Sequence, residues 1–158
     1  MGLSESAQKV QKDLLAHGVE GTVVELPDST RTAVEAAQAI GCTVAQIVKS
    51  LVFCGATSGK PIMIEASGIN RVNEKAVALV LGEPIVKANA DFVREKTGFA
   101  IGGIPPLGHA TEMGAVLIDE DLLQYDELWA AAGNPHAVFP LTPDQLISIT
   151  HGKVVSIK

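Results

Sequence analysis

One stretch constrains the fold more than any other: Ile47-Val48-Lys49-Ser50-Leu51-Val52-Phe53, apolar and largely β-branched apart from Lys49 and Ser50. Branching at Cβ favours an extended backbone, so the run reads as a strand. Residues 55–59 follow as a turn, and residues 61–66 form a second apolar run, expected to pair antiparallel with the first. A strand of this composition is usually buried, and a lysine seldom goes inside without compensation. Period-two alternation puts Ile47, Lys49, Leu51 and Phe53 on one face. Lys49 then has two readings. Its stem can pack on apolar side chains while the amine reaches water, or its ammonium can stand in a pocket wall and bind a phosphate, carboxylate or polarised carbonyl. Alternation sends Ser50 to the opposite face, which argues against a Ser–Lys nucleophilic pair.

The rest of the chain is punctuated in the manner of a mixed α/β protein. Residues 6–17 have helical spacing of Ala7, Val10 and Leu14, with Gly18 as a stop. Residues 22–26 read as a short strand. Thr32 with Glu35 forms a capping box for a helix over 33–40 closed by Gly41, and Thr43 with Gln46 repeats the signature for one turn. Helices are expected over 73–81 and 89–96, strands over 114–118, 128–132 and 154–157, and a helical turn over 119–124. Thr142-Pro143-Asp144-Gln145 is a strong helix start. No repeat, linker or low-complexity segment interrupts the 158 residues, so one domain over 1–158 is expected.

Charge narrows the function. A net charge of -6 disfavours a broad nucleic-acid surface, although a small basic site gripping only an end is compatible with it. Cys42 and Cys54 make neither a disulfide framework nor a zinc motif and read as small core residues. No basic region followed by an apolar stretch opens the chain, so a signal peptide is not expected; Gly2 with Ser6 fits an N-myristoylation pattern only loosely. The longest apolar run, residues 76–81, is too short for a bilayer. These features read as cytoplasmic.

A second unusual segment lies fifty residues beyond Lys49: Gly102-Gly103-Ile104-Pro105-Pro106-Leu107-Gly108-His109. Three glycines with free φ and two prolines with fixed φ make a shaped loop that can present N–H groups to a ligand, or simply connect two strands. His109 can donate, accept or act as a base, though a lone histidine is more often structural. His136, in Gly133-Asn134-Pro135-His136, reads as a turn residue on the surface. Rossmann, Walker, Gly-x-Ser-x-Gly and His-Glu-x-x-His motifs are all missing. An enzyme built this way would work by positioning and electrostatics.

At these residues the chain resembles the YbaK/ProX/EbsC family of aminoacyl-tRNA deacylases, relatives of the editing insertion of bacterial prolyl-tRNA synthetases. The resemblance rests on Ser29-Thr30-Arg31-Thr32-Ala33 with Glu35-Ala36-Ala37, on the Lys49 strand, and on residues 98–109. It implies a single α/β domain with a mixed, mostly antiparallel, partly barrel-like sheet surrounded by helices. The implied activity is hydrolysis of the ester that joins a wrong, small amino acid to the 3′ end of a tRNA, typically tRNA(Pro), with no metal and no cofactor. By this similarity Lys49 holds the terminal adenosine's phosphate or the ester region, while N–H groups around Gly102 and Gly103 bind the aminoacyl carbonyl and its oxyanion. Thr30, Arg31, Ile104, Pro105, Pro106, Gly108, His109 and His136 are the implied substrate-binding residues. The implied partner is the aminoacyl-tRNA acceptor end, with prolyl-tRNA synthetase as a candidate docking partner and neither membrane nor DNA.

One departure is informative. Cysteinyl-tRNA-directed members carry a late Ser-Gly-Gly segment where this chain has Ala131-Ala132-Gly133-Asn134, which argues against that subtype. The lysine-plus-loop pair also fits a binding module that holds an aminoacyl-adenylate, a nucleotide or an acceptor end without chemistry.

Overall fold

A computed structural model of the chain describes residues 3–158. Gly2, and with it the myristoylation pattern, lies outside the described residues. The helices are α1 (Glu5–Ala16), α2 (Ala33–Ile40), α3 (Glu74–Leu81), α4 (Ala90–Thr97) and α5 (Pro143–Thr150). The strands are β1 (Val24–Glu25), β2 (Ile47–Gly55), β3 (Pro61–Ser67), β4 (Ile85–Lys87), β5 (Ala115–Asp119), β6 (Leu128–Ala131), β7 (Ala137–Leu141) and β8 (Lys153–Val155).

Four of the five helices are only eight residues long, too short to persist alone, so their ends are fixed chemically and their faces by packing. Thr32 Oγ1 accepts from Glu35 N at 3.1 Å to open α2, and Gly41 ends it at φ 88°. Thr142 and Gln145 close a reciprocal capping box on α5, with Pro143 at its first position. Residues 119–124, expected as a helical turn, contain the 3-10 turn Glu120–Gln124.

All strands join one sheet in the order β1-β7-β6-β2-β3-β5-β8, with β4 also on β2. The hairpin pairs antiparallel from Val48↔Ser67 to Cys54↔Pro61 without interruption. Pairings β1–β7, β2–β4 and β6–β7 are also antiparallel, while β2–β6, β3–β5 and β5–β8 are parallel. The sheet is therefore mixed and mostly antiparallel, as expected, and its strand path is open.

Two strands escape the sequence reading. β4 is three residues long, too brief to show periodicity. β7 contains Pro140, which ordinarily demotes a run. The proline is tolerated because β1 pairs β7 only at Ala137 and Val138, leaving the Pro140 edge without that neighbour.

Alternation divides β2 and β3 between two apolar layers. Val48 and Met63 pack with Val10 and Leu14 of α1, Phe139 of β7 and Leu146 of α5. Phe53, Ile62 and Ile64 pack with Val77 of α3, Leu117 of β5 and Ile157.

The feature that positions the site is a gap. One edge of β2 is occupied by β3 over residues 48–54. The other edge pairs β6 only at Ile47 and Val48, and β4 only over residues 53–55. Among the described residues, 49–52 therefore have no strand on that edge.

Candidate active site

A cavity of about 370 Å³ opens beside this gap. Lys49 and Ser50 of β2 form part of its wall, with Ile101, Gly102 and Ile104 of the glycine loop. Thr30, Arg31 and Ala36 contribute from the α2 side, and Trp129 and Ala130 from β6. Because the edge is unpaired, residues of both β2 faces reach one hollow. Lys49 and Ser50 point in opposite directions, as alternation requires, and still share it.

Lys49 is half-buried, and its ammonium donates to the carbonyl of Asn70 at 2.9 Å. That carbonyl is held in turn. The Asn70 amide donates to Asp119 Oδ2 and Asp121 Oδ2, both at 2.8 Å. Asp119 Oδ2 also accepts from Ser67 N at 3.0 Å, and Asp121 pairs with Lys158 at 2.9 Å. Burial lowers the Lys49 pKa, the nearby Arg71 charge lowers it further, and Asp119 opposes them. A cation so placed is poorly hydrated and acts strongly on an anion entering the cavity.

Gly102 has φ +98°, a conformation that glycine alone adopts without strain, and a Cβ there would meet the Arg31 side chain at 2.7 Å. Its N–H has no hydrogen-bond partner among the described residues. Gly103 differs. Its N–H is committed to Ala100 O at 3.1 Å and its carbonyl accepts from Gly133 N at 2.9 Å. A Cβ on Gly103 would stand 2.7 Å from the Asn134 backbone. Gly103 therefore sutures the loop to residues 133–134, and Gly102 is the member of the pair with a donor to spare.

Thr30 Oγ1 is buried without a partner, on a residue of the cavity wall, while Thr30 N donates to Pro135 O at 2.6 Å. An unsatisfied buried hydroxyl in a cavity wall suits a polar ligand.

The expected site residues thus divide. Lys49, Gly102, Thr30, Arg31 and Ile104 line one cavity. Gly103, Gly108 and His109 line a separate depression on the other side of the loop, while Pro105 and Pro106 are buried and Pro106 borders a third depression beside Gly108 and His109. His109 Nε2 lies 2.7 Å from Pro105 O, and burial is the first cause lowering its pKa, so it braces the loop as a neutral ring. His136 is exposed, with Nδ1 at 3.2 Å from Leu26 O and 3.1 Å from Asp28 O. A loop has two sides, and residue spacing does not say which one a side chain takes.

Trp129 and Ser50 of the wall, and Glu65 behind it, are missed by the sequence reading. Glu65 carried a usable signal: it is the lone charge in Ile62-Met63-Ile64-Glu65-Ala66, the same anomaly that singles out Lys49.

A sequence model described as the aminoacyl-tRNA editing domain matches residues 27–149. The chain belongs to the aminoacyl-tRNA editing domain family. Its relatives include "Uncharacterized protein YwhH" of Bacillus subtilis (strain 168), 31% identical over 85% of each chain. A 92-residue stretch is 34% identical to proline--tRNA ligase of Limosilactobacillus fermentum, covering 56% of this chain and 16% of the ligase. A solved structure titled "Crystal structure of a putative trans-editing enzyme for prolyl tRNA synthetase" superposes with TM-score 0.93 at 49% identity over 99% of both chains. The editing-domain match spans α2, the hairpin, the glycine loop and most of α5, and so takes in every element that walls the cavity.

Proposed function

We propose that this editing domain hydrolyses mischarged aminoacyl-tRNA in trans, its substrate being tRNA(Pro) that carries a non-cognate small amino acid. The observation that carries this reading is the meeting of Lys49 and the free Gly102 N–H at one cavity. The cavity is near the lower end of ligand-site volumes, about 300–1,000 Å³, which suits an aminoacyl-ribose end and not a duplex. Lys49 engages the phosphate of the terminal adenosine or the ester region, and Gly102 N–H stabilises the oxyanion as the carbonyl becomes tetrahedral. Gly103 acts by shape, holding Gly102 in place. The attacking oxygen comes from water or from a substrate hydroxyl.

The reading takes residues 1–158 as one editing unit acting in the cytoplasm on the acceptor end, alone or docked on prolyl-tRNA synthetase. Contact with the acceptor end alone is compatible with a net charge of -6, because few phosphates are engaged.

The test is a panel of mischarged tRNAs incubated with the parent protein and with Lys49→Ala. The parent releases the amino acid from a subset of the panel, and Lys49→Ala loses at least about a hundredfold in rate with its melting temperature retained. Undiminished turnover in Lys49→Ala would refute the proposal. Protection of the ester without cleavage would favour the binding module.

A further inference from the structure

We propose that Glu65 is a positioning residue that turns the Ser50 hydroxyl toward the cavity, so that Ser50 donates a hydrogen bond to an acceptor oxygen of the bound aminoacyl-ribose. The inference rests on the editing function proposed above and adds a contact which that function does not require.

Three observations carry it. First, Ser50 stands at the gap. Ile47 O accepts from Gly68 N and Gly55 N donates to Lys60 O, both toward the β3 side of β2. The uninterrupted register between them fixes the parity, so the odd-numbered main-chain groups face β3 and those of Ser50 face the unpaired edge. Second, Glu65 is directly opposite Ser50 in that register, is fully buried, and has Oε2 2.7 Å from Ser50 Oγ. Third, Glu65 Oε1 has no hydrogen-bond partner among the described residues.

Among the described residues no ion pair compensates this carboxyl. Its face carries Val48 and Val52 on β2, Met63 and Ser67 on β3, and Val116 and Ile118 on β5. Helices α1, α4 and α5 turn Leu14, Val93 and Leu146 into the same layer. Lys49 and Asp119, the charges nearest along these strands, lie on the opposite face by alternation. Burial pushes the carboxyl up to about 8, and the Ser50 hydrogen bond offsets only part of that.

A neutral Glu65 has one proton, and among the described residues its one hydrogen-bond neighbour is Ser50 Oγ. Once Oε2–H donates there, the single hydroxyl proton of Ser50 must point elsewhere, and Ser50 is a residue of the cavity wall. Ionisation of Glu65 reverses the arrangement. Ser50 then donates to the carboxylate and offers the ligand only lone pairs.

The probe is the N-acetylalanyl amide of 3′-amino-3′-deoxyadenosine, which keeps the carbonyl, resists cleavage and has no amine that titrates between pH 7 and pH 9. In the parent, affinity for it falls about tenfold between pH 7 and pH 9, the worth of one hydrogen bond. In Glu65→Gln that step disappears, because the amide donates to Ser50 at either pH. Ser50→Ala and Glu65→Leu each weaken binding at pH 7 by about tenfold, and the double variant is no worse than either. Melting temperatures accompany each measurement; should Glu65→Leu fail to fold, Glu65→Gln and Ser50→Ala carry the test. A step that persists in Glu65→Gln, or parent-like affinity in Ser50→Ala, overturns the positioning role alone if mischarged tRNA is still cleaved. A protein that binds the amide with this pH step but cleaves no ester upholds the Ser50 contact and sinks the editing function. One that neither binds nor cleaves sinks both.

Discussion

Lys49 and Glu65 sit on neighbouring strands, on opposite faces, and burial drives both toward neutrality: the lysine pKa falls and the glutamate pKa rises to about 8. The consequence for stability has a definite sign. Between the ordinary carboxylate value near 4.5 and about 8, the folded chain keeps a proton on Glu65 that the unfolded chain has released. Unfolding therefore loses free energy as pH rises through that window, by up to about 1.4 kcal/mol per unit, and levels off above it. Denaturant titrations at pH 5, 7 and 9 should show the decline in the parent and a flatter profile in Glu65→Gln. Equal slopes in the two proteins would mean that Glu65 is ionised in the fold. A lone charge in an apolar run is legible in sequence. Whether it ends at a cavity, as Lys49 does, or behind one, as Glu65 does, depends on strands that pair from elsewhere in the chain.

Among the elements, the turn after β3 carries more than its length suggests. Asp119, at the end of β5, accepts from Ser67 N and from the Asn70 amide, so it fixes the carbonyl that receives Lys49. Asp119 is 1% exposed, which leaves no water to replace it. Asp119→Ala strands both buried donors and should destabilise the protein by about 3 kcal/mol, read from the denaturation midpoint. Deacylation should fall more in this variant than in Asp121→Ala, because Asp121 shares the Asn70 amide but holds no buried Ser67 N–H and pairs otherwise with the exposed Lys158. Parent-like deacylation in both variants would show that the Asn70 clamp does not position the ammonium. Helix starts are plain in the sequence, since a cap and its partner lie three residues apart, as Thr32 with Glu35 and Thr142 with Gln145 show. The Asp119–Asn70 contact spans 49 residues and has no local signature.

For the molecule as a whole, the family match begins at residue 27, yet α1 lies before it and supplies Ala7, Val10 and Leu14, each fully buried against the main core. Leu14→Ala should cost about 2–5 kcal/mol, as a cavity in a packed interior does. The measurement is a urea titration, and a loss below about 1 kcal/mol would show α1 to be dispensable to the core. The cavity depends on whole-molecule geometry more than on any segment, because β2 is left open only where β6 has ended and β4 has not begun.

Local chemistry in the sequence determined the central hairpin, the capped helices, the conspicuous lysine and the shaped glycine loop, because each depends on neighbours within a few residues. Tertiary structure alone decided that the sheet leaves residues 49–52 unpaired, that Gly102 and not Gly103 keeps a free N–H, that His109 takes the far side of the loop, and that Ser50 backs onto Glu65. These outcomes depend on which distant strands compete for an edge and which side of a loop the core covers. Periodicity along the chain specifies the face a side chain takes, but not what packs against it.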